Sequence, residues 1–98
     1  MLLSDVCSIK VNFPTADFWL IRVGSADKVG LPVKSFHEER IGIKVLKTEI
    51  LLPDYLFYVF MHLHSQKYFE IFCAQGTLDL VYIKISQVKN LKLSFGSD

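Results

Sequence analysis

Apolar residues run along this chain in two rhythms, first strand-like and then helical. Phe18-Trp19-Leu20-Ile21-Arg22-Val23 is nearly continuous in β-branched and aromatic residues and is stopped by Gly24-Ser25. That pattern predicts a strand covered on both faces. Ile41-Gly42-Ile43-Lys44-Val45-Leu46 alternates loosely and predicts a second strand, with Gly42 marking a bulge or a close approach. Residues 32–34 suit a short edge strand, where Pro32 is tolerated. Ser4 reads as the N-cap of a single helical turn, Pro14-Thr15-Ala16-Asp17 as a polar turn, and Asp27-Lys28-Val29-Gly30 as an irregular loop. Residues 35–40 form a polar connector.

At Pro53 the rhythm becomes helical. Proline suits the first helical turn because it has no N–H to leave unpaired, and Asp54 complements the helix dipole. Tyr55, Val59 and Leu63 then share one face, and Leu56, Phe60 and His64 the adjoining one. Phe57, Tyr58 and Met61 extend the apolar arc, so little of this helix is expected to face water. A break at Ser65-Gln66 leads to a second helix expected over 67–74, with Tyr68, Ile71 and Phe72 facing inward and Gly76 as its C-cap. Residues 78–85 are expected to return to the sheet, Ser86 to cap a short turn ending at Asn90, residues 91–95 to form a last strand, and 96–98 to fray. The chain shows no internal repeat, low-complexity stretch or linker. The elements add up to a single α+β domain over residues 1–98: a twisted mixed sheet of about four to six strands with a helix pair packed on one face.

Composition adds one pressure to this picture. The apolar share is 51% and the aromatic share 13%, against about 45–50% apolar in ordinary globular chains. A chain of 98 residues buries only about 60–70% of its unfolded surface. Either the aromatics make a generous core, or some stay exposed for a second copy or another protein. Charge gives little direction: 11 basic residues against 10 acidic ones leave a net +1. Bulk attraction to phosphates is therefore excluded, and any nucleic-acid surface must be a local patch. Cys7 and Cys73 lie far apart, without a CxxC motif or a secretory signal, and read as buried reduced thiols of a cytoplasmic protein. The longest apolar run, residues 56–61, is too short to cross a bilayer, so no membrane partner is expected.

The titratable residues form no catalytic set. His62 and His64 stand about 200° apart around a helix and cannot share a metal from one face. His37, Glu38 and Glu39 lie in a solvated connector, Cys73 lies within an apolar segment, and Gly24-Ser25…Gly30 lacks the spacing of a phosphate cradle. No enzyme, cofactor, metal or small-molecule substrate is implied. The polar surface is more suggestive. Lys84, Ser86, Gln87, Lys89, Asn90 and Lys92 place three cations and three hydrogen-bonding side chains within nine residues. Lysines hold phosphates, while Gln and Asn can read adenine bidentately. Arg22, Ser25, Lys28, Lys34 and Arg40 form a second candidate set, and Phe57, Tyr58, Tyr68 and Phe69 a candidate protein interface.

Five phrases occur in order along the chain: Leu3-Ser4-Asp5-Val6-Cys7, Ile21-Arg22-Val23-Gly24-Ser25, Pro53-Asp54-Tyr55-Leu56-Phe57-Tyr58, Gly76-Thr77, and Ile83-Lys84-Ile85-Ser86-Gln87-Val88-Lys89-Asn90-Leu91. Together they resemble the target-recognition domains of type I restriction enzyme specificity subunits. The closing phrase is the most specific of the five. Specificity subunits carry two such domains joined by long helices, and this chain looks like one of them, shortened and standing alone. The resemblance implies an α+β fold and a non-catalytic, double-stranded DNA-reading module of bacterial or phage origin, with Lys84, Gln87, Lys89 and Asn90 falling in the closing phrase. The alternative is an interaction or accessory module of the same fold that binds protein, or itself, through the aromatic patch.

Overall fold

The structure is a computed structural model that describes residues 1–71, 74–75 and 80–93. The expected roles of Phe72, Cys73, Gly76, Thr77 and Leu78, of Ser94-Phe95 in a last strand, and of 96–98 as a tail concern residues outside that set. The fold class is α+β, as the sequence predicts. The strands divide between two sheets, and every ladder among the described residues is antiparallel.

The first sheet is built from β1 (Cys7–Val11), β2 (Phe18–Leu20), β4 (Pro32–Val33) and β5 (Ile41–Val45), in the order β1-β5-β2-β4. β5 lies inside the sheet, which suits its burial at every position but Lys44. β4 lies at the edge, where Pro32 costs no ladder hydrogen bond. β1 is a strand that the sequence reading did not single out. Its signal is a period of two, with Cys7 and Ile9 buried while Lys10 faces water. The turn between β1 and β2 folds over β5 at Gly42, where a Cβ would sit 2.6 Å from Phe13 Cβ and 2.9 Å from Ala16 Cβ. Gly42 therefore marks a close approach. Beyond the start of β2, the Asp17 carboxylate continues the ladder by accepting the Val45 N–H at 2.8 Å.

The single strand expected over 18–23 is broken at Ile21-Arg22. Ile21 N–H donates to Leu31 O, and Ile21 O accepts from Gly30 N–H at 2.8 Å. Arg22 O accepts from Ile83 N–H, so the next segment, β3 (Val23–Gly24), joins a different sheet. There it pairs with β7 (Val81–Tyr82), which also pairs with β6 (Ala74–Gln75).

α1 (Pro53–Ser65) begins and ends where the sequence places it, with Pro53 in its first turn. Its inner face carries Leu56 and Phe60, both fully buried. Phe60 meets Phe18 at 5.8 Å between ring centroids, Phe57 meets Phe18 edge-on at 5.5 Å, and Phe69 stacks on Phe60 at 6.0 Å. This row ties the helix to β2. Burying a side chain of Phe60's size contributes about 1.5–3 kcal/mol. The opposite face of α1 is wet, a correction to the expectation that little of it meets water: Tyr55, Tyr58, Met61 and His62 are exposed.

The second helix expected over 67–74 is instead one 3₁₀ turn, Tyr68–Ile71, followed by β6. Lys67 at φ 58° turns the chain sharply after α1, and pairing with β7 then draws Ala74–Gln75 into the sheet. A further 3₁₀ turn, Leu3–Asp5, has Leu2 as its N-cap and so opens two residues earlier than Ser4 would set it. The Asp5 carboxylate accepts the Leu2 N–H there at 2.8 Å. Finally, α2 (Ile85–Lys89) spans the expected turn, while the last strand is reduced among the described residues to a bridge between Lys92 and Leu2. No helix among the described residues is long and apolar enough to cross a membrane.

Candidate nucleic-acid interface

α2 is a short ridge held down at both ends. Ile83, Val88 and Leu91 are buried beneath it. Ile83 N–H donates to Arg22 O, Leu3 N–H to Leu91 O, and Leu93 N–H to Met1 O at 2.7 Å. With the apolar positions turned inward, Lys84, Ser86, Lys89, Asn90 and Lys92 are left exposed. Gln87 differs from its neighbours. Its Oε1 accepts the Lys84 N–H at 3.0 Å, so it caps the start of the helix, the task the sequence had suggested for Ser86.

Residues 80–93 contain Lys84, Lys89 and Lys92 and no Asp or Glu. Among the described residues none of the three lysines has a carboxylate within salt-bridge distance; the single ion pair, Lys34–Asp54, lies elsewhere. The ridge thus concentrates positive charge in a chain whose net charge is only +1.

The second cationic set is arranged differently. Arg22 Nε–H donates to Glu39 O at 3.0 Å, and Arg40 donates to Ser35 O at 2.8 Å and Ser35 Oγ at 2.7 Å. Both arginines fasten the polar connector. Lys34 reaches Asp54 at 3.6 Å and lies over the Phe57 ring at 4.4 Å. The Ser25 hydroxyl beside Asp27 holds that carboxyl below the usual carboxylate range. Lys28 is exposed, and its charge also acts on the neighbouring Asp27 carboxylate. Sequence proximity suggested a basic loop; the fold uses most of its members as internal ties.

The four aromatics expected at a protein interface do not share a surface. Phe69 is 2% exposed, inside the core. Phe57 and Tyr68 are half-buried, Phe57 against Phe18 and Tyr68 edge-on to Phe69. Tyr58 alone points outward, and its exposed neighbours on α1 are Tyr55 and Met61, which the sequence reading assigned to the apolar arc. A helical wheel could have found them, because the buried and wet faces of α1 separate cleanly at 100° per residue.

Between α2 and the 68–71 turn lies a hollow of about 260 Å³ lined by Tyr68, Phe69, Ser86, Gln87, Asn90 and Leu91. A second, lined by Ala26, Asp27, His64 and Glu70 among others, sits where the His64 Nε2–H donates to Asp27 O at 2.7 Å. His64 thus ties the 25–30 loop to the end of α1. Among the described residues no three His, Cys, Asp or Glu side chains come together as a metal site. The Cys7 thiol is buried, and burial, with the Asp17 carboxylate nearby, pushes its pKa up to about 12. At neutral pH it is a protonated, unreactive thiol.

No protein-family model, curated protein or solved structure matches the chain.

Proposed function

We propose that this chain is a non-catalytic module that contacts double-stranded DNA through the α2 ridge, with Lys84, Lys89 and Lys92 on phosphates and Ser86 and Asn90 beside the bases. One observation carries the reading: three exposed lysines, with no acidic partner among the described residues, flank two exposed hydrogen-bonding side chains on one anchored segment. Lysine supplies sequence-independent attraction, and asparagine can pair bidentately with adenine in the major groove. The same segment is the closing phrase that resembles target-recognition domains. Arg22, Lys34 and Arg40 are left out of this surface because their head groups serve the fold.

Three phosphate contacts set the scale of the test. The logarithm of the binding constant should fall with the logarithm of salt at a slope of about −2.7. Binding then weakens about 40-fold between ~50 and ~200 mM salt. Fluorescence anisotropy on a randomised duplex pool reads this directly. A Lys84→Ala/Lys89→Ala variant should lower both the affinity and the slope, by about 1 per lysine, while Arg22→Ala leaves the slope alone. Absence of binding at low salt, or a slope unchanged in the double variant, overturns the proposal.

A further inference from the structure

The exposed residues of α1 are Asp54, Tyr55, Tyr58, Met61, His62 and Ser65. At 100° per residue these six fall within an arc of about 120°. The apolar members are well out in solvent: Tyr55 is 57% exposed, Tyr58 69% and Met61 41%, with Leu52 at 64% on the N-terminal rim. Lone exposed apolar residues need no explanation, but a contiguous row of them on one helix marks a contact surface.

We infer that this face binds a second copy of the same chain, with the two α1 helices antiparallel about a two-fold axis through Tyr58. The order of residues along the arc selects that partner. A two-fold through Tyr58 sets Tyr55 against Met61 of the other copy and Asp54 against its His62, twice each. An aromatic ring then meets a thioether, a favourable contact. An acidic first turn meets an imidazole in the last turn of the other helix, and the two helix dipoles oppose each other. A parallel arrangement would instead set Asp54 against Asp54. The Asp54 side chain pairs with Lys34 at 3.6 Å yet is 89% exposed, so its carboxylate can take the contact from the solvent side.

The area bounds the strength. The four apolar side chains present roughly 400 Å² per copy, about half of the ~800 Å² per partner of a standard stable interface. The dimer is therefore weak and concentration-dependent, and it forms without DNA.

Sedimentation velocity over a concentration series reaching the high micromolar range tests this on the full chain. Wild type should pass from monomer to dimer. Tyr58→Asp, which sets two carboxylates face to face on the axis, should remove the dimer. Asp54→Lys should weaken it, and Asp54→Lys/His62→Asp should restore it by setting a lysine against a carboxylate across the axis. Tyr58 lies outside the core, so circular dichroism of Tyr58→Asp should match wild type; if that variant fails to fold, Met61→Lys takes its place. A wild-type chain that stays monomeric throughout overturns the inference. So does a dimer that survives both Tyr58→Asp and Met61→Lys. DNA binding is read separately by anisotropy, so either proposal can fail alone.

Discussion

Replacing Gly30 by alanine tests the packing that joins the 25–30 loop to the core. Gly30 has φ +85°, a left-handed conformation that costs an L-residue about 1–2 kcal/mol. The larger effect is steric. An alanine Cβ would lie 2.3 Å from Phe69 Cδ2 and 2.6 Å from its Cγ, against a normal contact of about 3.5–4.0 Å. Retreat of the buried Phe69 ring would give up its stacking on Phe60, where only 9° separates the ring planes. Forcing such a core apart costs about 1–3 kcal/mol. The sum, about 2–5 kcal/mol, is a large share of the ~5–15 kcal/mol that stabilises an ordinary domain. At about 4–8 °C per kcal/mol for a chain of this size, the melting temperature should drop by at least about 8 °C. Urea unfolding followed by Trp19 fluorescence gives the free energy, and circular dichroism gives the melting temperature. Gly30→Asn separates the two causes, since asparagine tolerates positive φ but still carries a Cβ. It should recover at most the conformational part and remain clearly destabilised. Alanine within about 0.5 kcal/mol of wild type, or asparagine equal to glycine, would show that Phe69 does not pack against Gly30 and would refute the reasoning.

Gly42→Ala meets Phe13 and Ala16 in the same way, but without a conformational penalty, and should cost about 1–3 kcal/mol in a thermal melt; an unchanged melt would mean the β1–β2 turn does not lie over β5. Asp17→Ala leaves the half-buried Val45 N–H without its acceptor and should cost about 1–3 kcal/mol, with Asp17→Asn milder because it keeps an oxygen. Equal stabilities for the two variants would remove the carboxylate from the ladder. Cys7 makes a prediction in pH. The folded chain holds its thiol proton up to about pH 12, while the unfolded chain releases it near 9. Between those values the native state binds more protons, so stability is full below about 9 and falls as pH rises through the window. In a Cys73→Ser background, iodoacetamide at pH 8 should label Cys7 far more slowly in the folded chain than in urea, and equal rates would place the thiol outside the core.

The sequence by itself determined the features whose causes are local. Pro53 set the start of α1 because it needs no N–H partner, while an aromatic-led apolar run marked β2 and a β-branched one marked β5. Pro32 put its strand at an edge, and Gly42 marked a bulge or a close approach, of which the fold shows the close approach. Each of these follows from one residue's own geometry or from a period. The tertiary structure decided whatever depended on a distant partner. The 18–23 run reads as one strand, yet Gly30 and Leu31 bind Ile21 while Ile83 binds Arg22, so two sheets divide it. The helical period of 67–74 yields to pairing of Ala74–Gln75 with β7. The candidate sites were reshaped for the same reason. Arg22, Lys34 and Arg40 look as available in sequence as Lys84 and Lys89, but Glu39, Asp54 and Ser35 hold them. Tyr55 and Tyr58 look as buried as Phe57 and Phe60 until the sheet takes one face of α1 and leaves the other to water. A residue's type fixes which bonds it can make; only the fold fixes whether a partner is already there, and so which groups remain for anything outside the chain.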